Sequence, residues 1–395
     1  MLNLENQDLT DKNVLMRVDL NVPLDDKGNV TDTSRIEACK ATIDLIISKG
    51  GTCVLLSHLG RPIGRDNKLS LKTIVETVSN VLNYPVLFFN DCIGKDAQVC
   101  ISKLKPRSII LMENVRFYEE ETAGCSKFAK ELAELGDIYV NDAFGSCHRE
   151  HASTSVISSY FKNRKFAGLL LKKELKAIDQ ISNQGKKPVL AILGGAKVSS
   201  KLNIIQNLIK KVDKIIVGGG MAYTFIKALG GNIGNSLIED DLIDSAKEII
   251  KLTKEHGKKI ILPIDTCASK DFKYNKQVKI FDSMKINDDW IGLDIGPKSI
   301  IKFNHEILSS NTIFWNGPVG VFEKDLFSLG TKGICQSLRE AKKKGANVIV
   351  GGGDSIAALK KLGNKNWVNY ISTGGGALLE SLEGKVLPGV KALMT

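Results

Sequence analysis

Arginine and histidine side chains concentrate in the first half of this sequence, where they follow short apolar runs. Eight of the nine arginines lie within the first 164 residues, and only Arg339 lies beyond them. Three of the five histidines, His58, His148 and His151, are close to those arginines in sequence. The planar guanidinium matches the oxygens of phosphate and carboxylate groups. The first half therefore predicts a site for an anion such as a small phosphorylated acid.

These cations recur in the loops that follow predicted strands. The loops are RVDLN at 17–21, SHLGRP at 57–62, ENVRF at 113–117 and NDAFGSCHREH at 141–151. Ligands of open parallel sheets collect beyond the carboxyl ends of the strands. One arginine after a strand is usually a surface residue or a salt-bridge partner, but several such loops in one sheet favour an anion site.

Glycine dominates the corresponding loops of the second half. These loops are GGAKVSSK at 194–201, GGGM at 218–221, NGPVGVFE at 316–323, GGGDS at 351–355 and STGGG at 372–376. Glycine lets the backbone approach a phosphate closely, and a following helix offers free N–H groups and a positive dipole end. One glycine run often marks only a tight turn, but five at sheet ends favour nucleotide or phosphate binding.

Several common nucleotide-binding signatures are absent from the sequence. The lack of GxxxxGK[ST] excludes a P-loop NTPase, and the lack of HRD and DFG excludes a protein kinase. The missing GxGxxG weakens a dehydrogenase interpretation. Asp354 follows three glycines at a predicted helix start, and Mg²⁺ is usually held by one or two carboxylates plus phosphates. Asp354 is therefore a candidate magnesium ligand, with helix N-cap as its alternative or additional role.

The elements that position these loops alternate between short apolar runs and stretches of helical period, which indicates βαβ units. Strands are predicted in the first half at 14–18, 52–56, 85–89, 108–112 and 138–140. Strands are predicted in the second half at 189–193, 214–217, 259–262, 312–315, 347–350 and 367–371. Helices at 34–49 and 332–344 end at glycines, and another is expected at 168–183. The pattern predicts two consecutive doubly wound α/β domains.

Composition and length agree with two globular domains. The chain has 395 residues, of which 43% are hydrophobic and 25% charged. No apolar stretch approaches the roughly 18 residues of a membrane span, and the start has no basic leader, so we expect a cytoplasmic protein without a membrane partner. Eight cysteines without a CxxC pair favour buried, reduced thiols over disulfides or a zinc site.

The net charge of +11 is compatible with nucleic acid or with anionic metabolites as partners. A nucleic-acid-binding protein would need a continuous basic stripe with interleaved aromatic side chains. Aromatic residues make up only 6% of the chain, and the arginines follow strands. We therefore expect no nucleic-acid partner, although a basic nucleic-acid-binding protein stays the main alternative from another class. A different small-molecule kinase or dehydrogenase on a similar fold is the nearer alternative.

Nine segments together resemble the phosphoglycerate kinase family in order and spacing. They are RVDLNVP, SHLGRP, ENVRFYEEE, NDAFGSCHREHAS, GGAKVSSK, GGGMAYTF, WNGPVGVFE, GGGD and STGGGALLESLEGKVLPG, and they extend from about Val14 to Gly389. The resemblance implies reversible phosphoryl transfer between 1,3-bisphosphoglycerate and ADP, giving 3-phosphoglycerate and ATP, in glycolysis and gluconeogenesis. It also implies Mg²⁺ as cofactor and a monomeric enzyme.

The resemblance further implies two Rossmann-like parallel-sheet domains that face each other across a cleft and are joined by a helix. The phosphoglycerate-binding domain is expected at 1–167, with the C-terminal segment 377–395 packing back on it. The connecting helix is expected at 168–184 and the nucleotide-binding domain at 185–376. Because the two substrates would sit on different domains, hinge closure would precede in-line transfer.

The family motifs imply a role for individual residues of this sequence. The phosphoglycerate would be bound by Asp19, Leu20, Asn21, Arg35, His58, Leu59, Gly60, Arg61, Arg116 and Arg149. The nucleotide would be bound by Lys197, Lys201, Gly218, Gly219, Gly292, Asn316, Pro318, Val321, Glu323, Gly352, Gly353, Asp354 and Ser355, with Asp354 also on Mg²⁺. The catalytic groups would be Arg35, Lys197, Gly374 and Gly375, which contact the phosphoryl group in transfer.

Four positions depart from the family pattern. Ser355 replaces a usual threonine, Asn235 a common lysine, Lys298 a small residue, and Tyr370 a histidine or alanine. Ser355 keeps the hydroxyl group, whereas Asn235 and Lys298 are candidates for altering nucleotide affinity or the hinge surface. The chemistry agrees with the residues offered, because a carboxylate acceptor is already ionised and requires cations and amides rather than a general base.

Overall fold

A computed structural model describes residues 2–272 and 277–394 of the chain. The chain forms two compact units. Unit 1 consists of Met1–Leu175 together with Val386–Thr395, and unit 2 consists of Lys176–Lys385. No helix in the described ranges is long and apolar enough to cross a membrane.

Unit 1 is built on a six-stranded parallel sheet. Its strands are β1 (Asn13–Arg17), β2 (Thr52–Leu56), β3 (Val86–Phe89), β4 (Ile109–Met112), β5 (Ile138–Asn141) and β6 (Lys165–Ala167). They are ordered β3-β4-β2-β1-β5-β6, and every neighbouring pair is parallel. Strands β2, β4 and β5 are buried along their whole length, as expected when helices cover both faces of a sheet.

The helices of this part of the chain are α1 (Ser34–Ser48), α2 (Val75–Leu82), α3 (Lys95–Ser102), α4 (Glu119–Thr122), α5 (Ser126–Ala133) and α6 (Leu169–Ser182). Helix α1 shows why these segments fold as they do. Its residues Ile36, Ile43 and Ile46 are fully buried. They belong to the same core cluster as the side chains on one face of β1 and β2. Their spacing puts them on one face of a helix.

Unit 2 contains eleven of the described strands. They are β7 (Val189–Leu193), β8 (Lys214–Val217), β9 (Asn232–Ile233), β10 (Lys259–Ile261), β11 (Asp265–Ser269), β12 (Val278–Asp282), β13 (Lys285–Ile286), β14 (Ile291–Ile295), β15 (Thr312–Asn316), β16 (Asn347–Val350) and β17 (Tyr370–Ile371). The main sheet is parallel and ordered β10-β8-β7-β15-β16-β17. Strands β12-β11-β14 form a small antiparallel sheet, and β13 pairs with β9.

The helices of unit 2 surround this sheet. They are α7 (Leu202–Ile209), α8 (Met221–Ala228), α9 (Ile243–Glu255), α10 (Pro297–Leu308), α11 (Leu329–Lys343), α12 (Gly353–Leu362) and α13 (Gly376–Leu382). The core between the sheet, α10 and α11 contains Trp315, Phe303 and Ile334, each of which is at most 1% exposed. The short helix α14 (Pro388–Lys391) follows in the segment that returns to unit 1.

The chain passes between the units inside α6, at Leu175–Lys176, and returns after Lys385. Segment 377–385 belongs to unit 2, whereas the sequence prediction placed 377–395 on the first domain. The reason is that α13 packs against α7 and receives a hydrogen bond from Asn207 Nδ2 at Leu382 O. The return segment is bound to unit 1 through Gly389 N, which donates to Cys147 O over 2.9 Å. The functional division of the domains stays a prediction.

Most predicted elements of the two main sheets are confirmed, but some strands were missed. Strand β6 has only three residues and carries Lys165, so it lacks an apolar run. The prediction at 367–371 was too long, because Lys365–Trp367 is a 3-10 helix and only Tyr370–Ile371 pairs as a strand. The small sheet of β11, β12 and β14 was also missed, since the exposed face of β12 gives it little apolar pattern.

Candidate active site

The cationic loops of unit 1 meet at one edge of its sheet. Strands β1 and β5 are neighbours, but the chain continues from β1 to β2 on one side and from β5 to β6 on the other. This reversal creates a crevice at the carboxyl ends of the strands, where ligands bind in open α/β sheets. The loops after β1, β2, β4 and β5 all begin at this edge, which is the edge at which the sequence predicted an anion site.

Backbone groups tie the loop after β2 to its neighbours. Gly60 N donates to Asn21 Oδ1 over 2.8 Å, and Arg116 Nη1 donates to Gly60 O over 2.7 Å. Leu59 O accepts from Asn114 Nδ2 over 2.8 Å. These bonds bring Asn21, Gly60 and Arg116 together as the sequence predicted. They also assign Asn114, which was not among the predicted site residues, to the framework of the site.

Asp19 and Arg35 form the best-defined ion pair of this edge. Arg35 Nη1 lies 2.7 Å from Asp19 Oδ2, with the two side chains 32% and 11% exposed. Asp19 Oδ1 also accepts a 3.2 Å hydrogen bond from Asn21 N. Arg35 is the second residue of α1, so the positive end of that helix adds to its charge. The pair aims a partly exposed guanidinium at the carboxyl edge of β1.

The remaining predicted residues of unit 1 lie at the same edge. Leu20 N donates to Ser57 Oγ over 2.9 Å, directly before the buried His58. Arg61 and Arg149 are exposed, yet each is near enough to influence another site residue. Burial lowers the pKa of Arg116 and of His151, and Arg61 adds to the first shift and Arg149 to the second. Arg61 and Arg149 therefore lie near the other cations of this edge.

Burial and mutual repulsion control the charges of this cluster. Burial lowers the pKa of His58 well below its ordinary value, with Arg17 and Arg116 adding to the shift. The pKa of His151 falls to about 4 for the same reasons, so its 3.8 Å contact with Glu121 is not an ion pair at neutral pH. Burial also lowers the pKa of Arg116 to about 10. At neutral pH the two histidines are neutral donors and the arginines carry the charge.

In unit 2 the glycine-rich loops surround a cavity of about 510 Å³, which is within the usual size of a small-molecule site. The cavity lies where the chain leaves β7 and β15 in opposite directions. Its floor requires glycine at 292, because a Cβ there would lie 2.0 Å from Tyr223 Oη. The lining is largely apolar and includes Leu237, Phe272 and Val321, with Glu323 among its few charged side chains. Such a wall suits a nucleoside.

A second cavity of about 440 Å³ shares Gly195, Ala196 and Asp354 with the first. It is lined by Lys197 and Lys201 and by Gly352 and Gly353 at the start of α12. Lys201 Nζ donates to Asn316 Oδ1, and burial lowers the pKa of Lys201 to about 8 while Asp354 partly opposes the shift. The shared residues make the two cavities one elongated site, apolar at one end and cationic at the other.

The loop before α12 is shaped by contacts with the loop after β15. Gly352 has φ +90° and its Cβ would meet Asn316 Nδ2 at 2.6 Å, so only glycine suits this position. Ser355 Oγ accepts a 2.6 Å hydrogen bond from Gly317 N. The hydroxyl of Ser355 therefore performs a structural task that threonine would also perform, which explains why this departure from the family pattern is tolerated.

Asp354 is not the N-cap of α12. The N-cap is Gly352, which makes no side-chain capping bond, and Asp354 lies within the first turn. Its side chain is exposed, lines both cavities, and makes no hydrogen bond or ion pair with another residue in the described ranges. An exposed carboxylate beside the lysine-lined cavity fits the oxygen-ligand preference of Mg²⁺. The described residues contain no cluster of three or more His, Cys, Asp or Glu suited to a metal, so phosphate and water would supply the other ligands.

The residues predicted to bind the nucleotide, together with the predicted catalytic residues Gly374 and Gly375, fall almost entirely on these walls. The first cavity contains Gly219, Gly292, Pro318, Val321 and Glu323, and the second contains Lys197, Lys201, Asn316, Gly352, Gly353, Ser355 and Gly375. Gly218 and Gly374 line neither cavity. Gly218 is buried against Val319, where a Cβ would lie 2.6 Å from Cγ1, and Gly374 is also buried.

Several lining residues were not predicted as site residues. Phe272, Ile291 and Leu293 come from the small antiparallel sheet and the segment beside it, where no glycine-rich loop signals a site. Asn235, one of the four departures, lines the nucleoside end of the cavity. Lys298 does not line either cavity, and its backbone N donates to Asp265 Oδ2 at the start of α10. Of these two departures, Asn235 is the one placed to affect nucleotide binding.

Comparisons with known proteins agree with this arrangement. The model of the family "Phosphoglycerate kinase" matches residues 4–385. The chain belongs to the phosphoglycerate kinase family. It is 46% identical to phosphoglycerate kinase of Porphyromonas gingivalis, over 99% of this chain and 100% of that one. It is 47% identical to "Phosphoglycerate kinase 3, cytosolic" of Arabidopsis thaliana, over 99% and 97% of the two chains.

Solved structures of the family share the fold. The structure of phosphoglycerate kinase from Coxiella burnetii matches with a TM-score of 0.91 and 37% identity, over 100% of this chain and 98% of that one. The enzyme from Pyrococcus horikoshii matches with a TM-score of 0.84 and 29% identity over the same shares. The α/β fold with two parallel sheets is thus the family fold.

Proposed function

We propose that this protein catalyses reversible phosphoryl transfer between 1,3-bisphosphoglycerate and ADP, giving 3-phosphoglycerate and ATP. The observation that carries the proposal is the elongated site of unit 2, apolar at one end and lysine-lined at the other. A nucleoside fits the first end and its phosphates the second. Membership of the family along almost the whole chain supports the same activity.

The phosphoglycerate binds at the cationic edge of unit 1. Arg35, Arg61, Arg116 and Arg149 supply charge-assisted hydrogen bonds to its phosphate and carboxylate oxygens. His58 adds a neutral donor, since its lowered pKa keeps it unprotonated. Asn21 and the Leu59–Gly60 backbone hold the loops in register through the bonds described above. Asp19 orients Arg35.

The nucleotide binds along the cavity of unit 2. Its base and ribose lie against Pro318, Val321 and Glu323, and its phosphates reach Lys197 and Lys201. Mg²⁺, bound at Asp354 together with phosphate oxygens, would neutralise charge on the phosphates. The fit rests on the exposed carboxylate of Asp354 beside the cationic end of the site.

The transfer requires positioning more than acid–base chemistry. The acceptor carboxylate is already ionised at neutral pH, so no side chain must remove a proton from it. Arg35 and Lys197 stabilise the charge on the phosphoryl group in transfer, and the backbone amides of Gly374 and Gly375 donate to its oxygens. Because the two binding sites belong to different compact units, the mechanism includes hinge closure before in-line transfer, which also excludes water.

A coupled assay with ATP, Mg²⁺ and 3-phosphoglycerate tests the proposal. The purified protein should consume ATP only when 3-phosphoglycerate is present, and the reaction should stop when Mg²⁺ is chelated. Neither another small-molecule kinase nor a dehydrogenase would turn over this substrate pair. No turnover at saturating concentrations of both substrates would contradict the proposal. Chromatographic mass measurement and cell fractionation would test the accompanying predictions of a cytoplasmic monomer.

The pH dependence of nucleotide binding should follow Lys201. Its pKa of about 8 means that, in the free protein, the ammonium is present below that pH and is lost above it. Only the ammonium attracts phosphate oxygens, so the KM for ATP should be constant below the pKa and rise above it. In Lys201→Arg the guanidinium stays charged at all accessible pH values. The rise should disappear in that variant, and an unchanged rise would contradict the assignment.

A further inference from the structure

The guanidinium of Arg17, at the end of β1, is fully buried. Arginine is seldom fully buried unless it is paired, yet in the described part of the chain no carboxylate lies within ion-pair distance of it. Its partners are instead uncharged. Nε donates to Ser153 Oγ over 2.8 Å, Nη2 contacts His58 Nδ1 at 3.1 Å, and Nη1 donates to Val18 O.

The carboxylate nearest to Arg17 along its hydrogen bonds is that of Glu121, and the side chain of Ser153 lies between the two. Ser153 Oγ donates to Glu121 Oε1 over 2.6 Å, and Ser153 N donates to Glu121 Oε2 over 2.9 Å. Both Ser153 and Glu121 are fully buried. A hydroxyl has one proton to give and lone pairs to accept with, so the direction of the chain is settled. Arg17 donates to Ser153, and Ser153 donates to Glu121.

The same logic settles the state of His58. Arginine can only donate, so His58 Nδ1 must accept from Arg17 and the ring proton must be on Nε2. A second proton on Nδ1 would face the guanidinium directly. The geometry therefore fixes His58 as a neutral imidazole with an Nε2–H donor, which is the form suited to a phosphate or carboxylate oxygen.

We propose that Ser153 and Glu121 are positioning residues of the phosphoglycerate site. Through Arg17 they hold His58 in the tautomer that donates from Nε2. The inference rests on the proposed function, because it takes the phosphoglycerate as the ligand of His58. The interposed hydroxyl matters, since direct pairing with Glu121 would draw the guanidinium away from His58.

A purely structural role is the competing explanation. Glu121 also anchors the loop after β5 that carries Ser153, because Glu121 O accepts a 2.9 Å bond from Ala152 N. A variant that only loosened this loop would lower stability without changing the tautomer of His58. The test must therefore measure the tautomer of the His58 imidazole as well as the affinity for the substrate.

The main variant is Ser153→Ala in the full-length protein, with Ser158→Ala as the matched control. Ser158 is a buried serine of the same unit whose hydroxyl donates to the carbonyl oxygens of Ser155 and Ala392. In Ser153→Ala we expect the KM for 3-phosphoglycerate to rise about tenfold, the loss of roughly one charged hydrogen bond, while the KM for ATP stays unchanged. Ser158→Ala should change neither constant.

Long-range ¹H–¹⁵N NMR correlations report the tautomer, with His58→Gln assigning the signals. The native protein should show a single Nε2–H pattern for His58, and Ser153→Ala should show a mixture of tautomers. Ser153→Thr, which restores the hydroxyl, should recover the native pattern. An unchanged pattern together with an unchanged KM for 3-phosphoglycerate in Ser153→Ala would overturn the proposal.

A second variant keeps the test decisive if Ser153→Ala does not fold. Glu121→Gln preserves the side-chain size but cannot accept both donors of Ser153, so the same rise in KM and the same tautomer mixture are expected. A native tautomer and a native KM in this variant would overturn the proposal. Absence of turnover in the unmodified protein would refute the proposed function instead, while the NMR experiment would still test the positioning chain.

Discussion

Arg35→Ala should abolish phosphoryl transfer and leave ADP binding nearly intact. Arg35 is the partly exposed guanidinium at the start of α1, paired with Asp19 at 2.7 Å, and its proposed task is to stabilise the phosphoryl group in transfer. Arginines in that role contribute about 10³-fold or more to the rate, so a loss of that order is expected. Coupled turnover assays and calorimetry with ADP measure the two quantities separately.

The control for Arg35→Ala is Arg35→Lys. Removing the guanidinium leaves Asp19 without its partner, and lysine restores a charge there without the bidentate fork. Arg35→Lys should bind phosphoglycerate better than Arg35→Ala while still transferring slowly. Thermal unfolding should confirm that both variants fold. If ADP affinity fell as far as the rate, the assignment of the substrates to the two units would be wrong.

Lys201→Met should weaken ADP binding and leave 3-phosphoglycerate binding unchanged, whereas Arg35→Ala should leave ADP binding nearly intact. The substitution keeps the length of the side chain but removes the ammonium at the phosphate end of the cavity. A hydrogen bond to a charged group contributes about 1.5–3 kcal/mol, so ADP affinity should fall by roughly 10- to 100-fold. Binding of 3-phosphoglycerate, measured by calorimetry without nucleotide, should be unchanged because its proposed site lies in the other unit.

Lys201→Met also removes the ammonium that donates a hydrogen bond to Oδ1 of the buried Asn316. Lys201→Arg is the matched control, since it retains both charge and donors and should lose much less ADP affinity. A parallel loss of phosphoglycerate affinity in Lys201→Met would show that the variant is damaged as a whole. Together the two substitutions at 35 and 201 assign each substrate to one compact unit.

The sequence allowed several residues of the two sites to be predicted because they follow strands closely, whereas the roles of Arg35 and Lys201 were implied by the family resemblance. Asp19 follows β1 by two residues, His58 follows β2 by two residues, and Asn316 closes β15. In a parallel sheet all such positions meet at one edge, so identity and spacing along the chain were sufficient. The strand centres were equally predictable, since β2 and β7 are continuous apolar runs buried throughout.

Residues that act across long sequence separations were not predictable in this way. Ser153 is 136 positions from Arg17, and nothing in the intervening sequence indicates that their side chains meet. Phe272 and Ile291 reach the nucleoside cavity through the small antiparallel sheet and the segment beside it, whose pairing depends on tertiary contacts. Residues 377–385 likewise belong to unit 2 and not to the first domain. Asn207 of α7 donates a hydrogen bond to Leu382 O there, and the two residues are 175 positions apart.

Unit 2 is one uninterrupted segment, whereas unit 1 is completed only by residues that are synthesised after all of unit 2. Val390 and Leu393 are at most 5% exposed, and Gly389 lies against Cys147 with its N–H bonded to that residue's carbonyl. A nascent chain on the ribosome can therefore complete unit 2 before the return segment packs against unit 1. A premature stop codon near residue 385 would leave unit 2 whole and remove from unit 1 the segment that contacts Cys147.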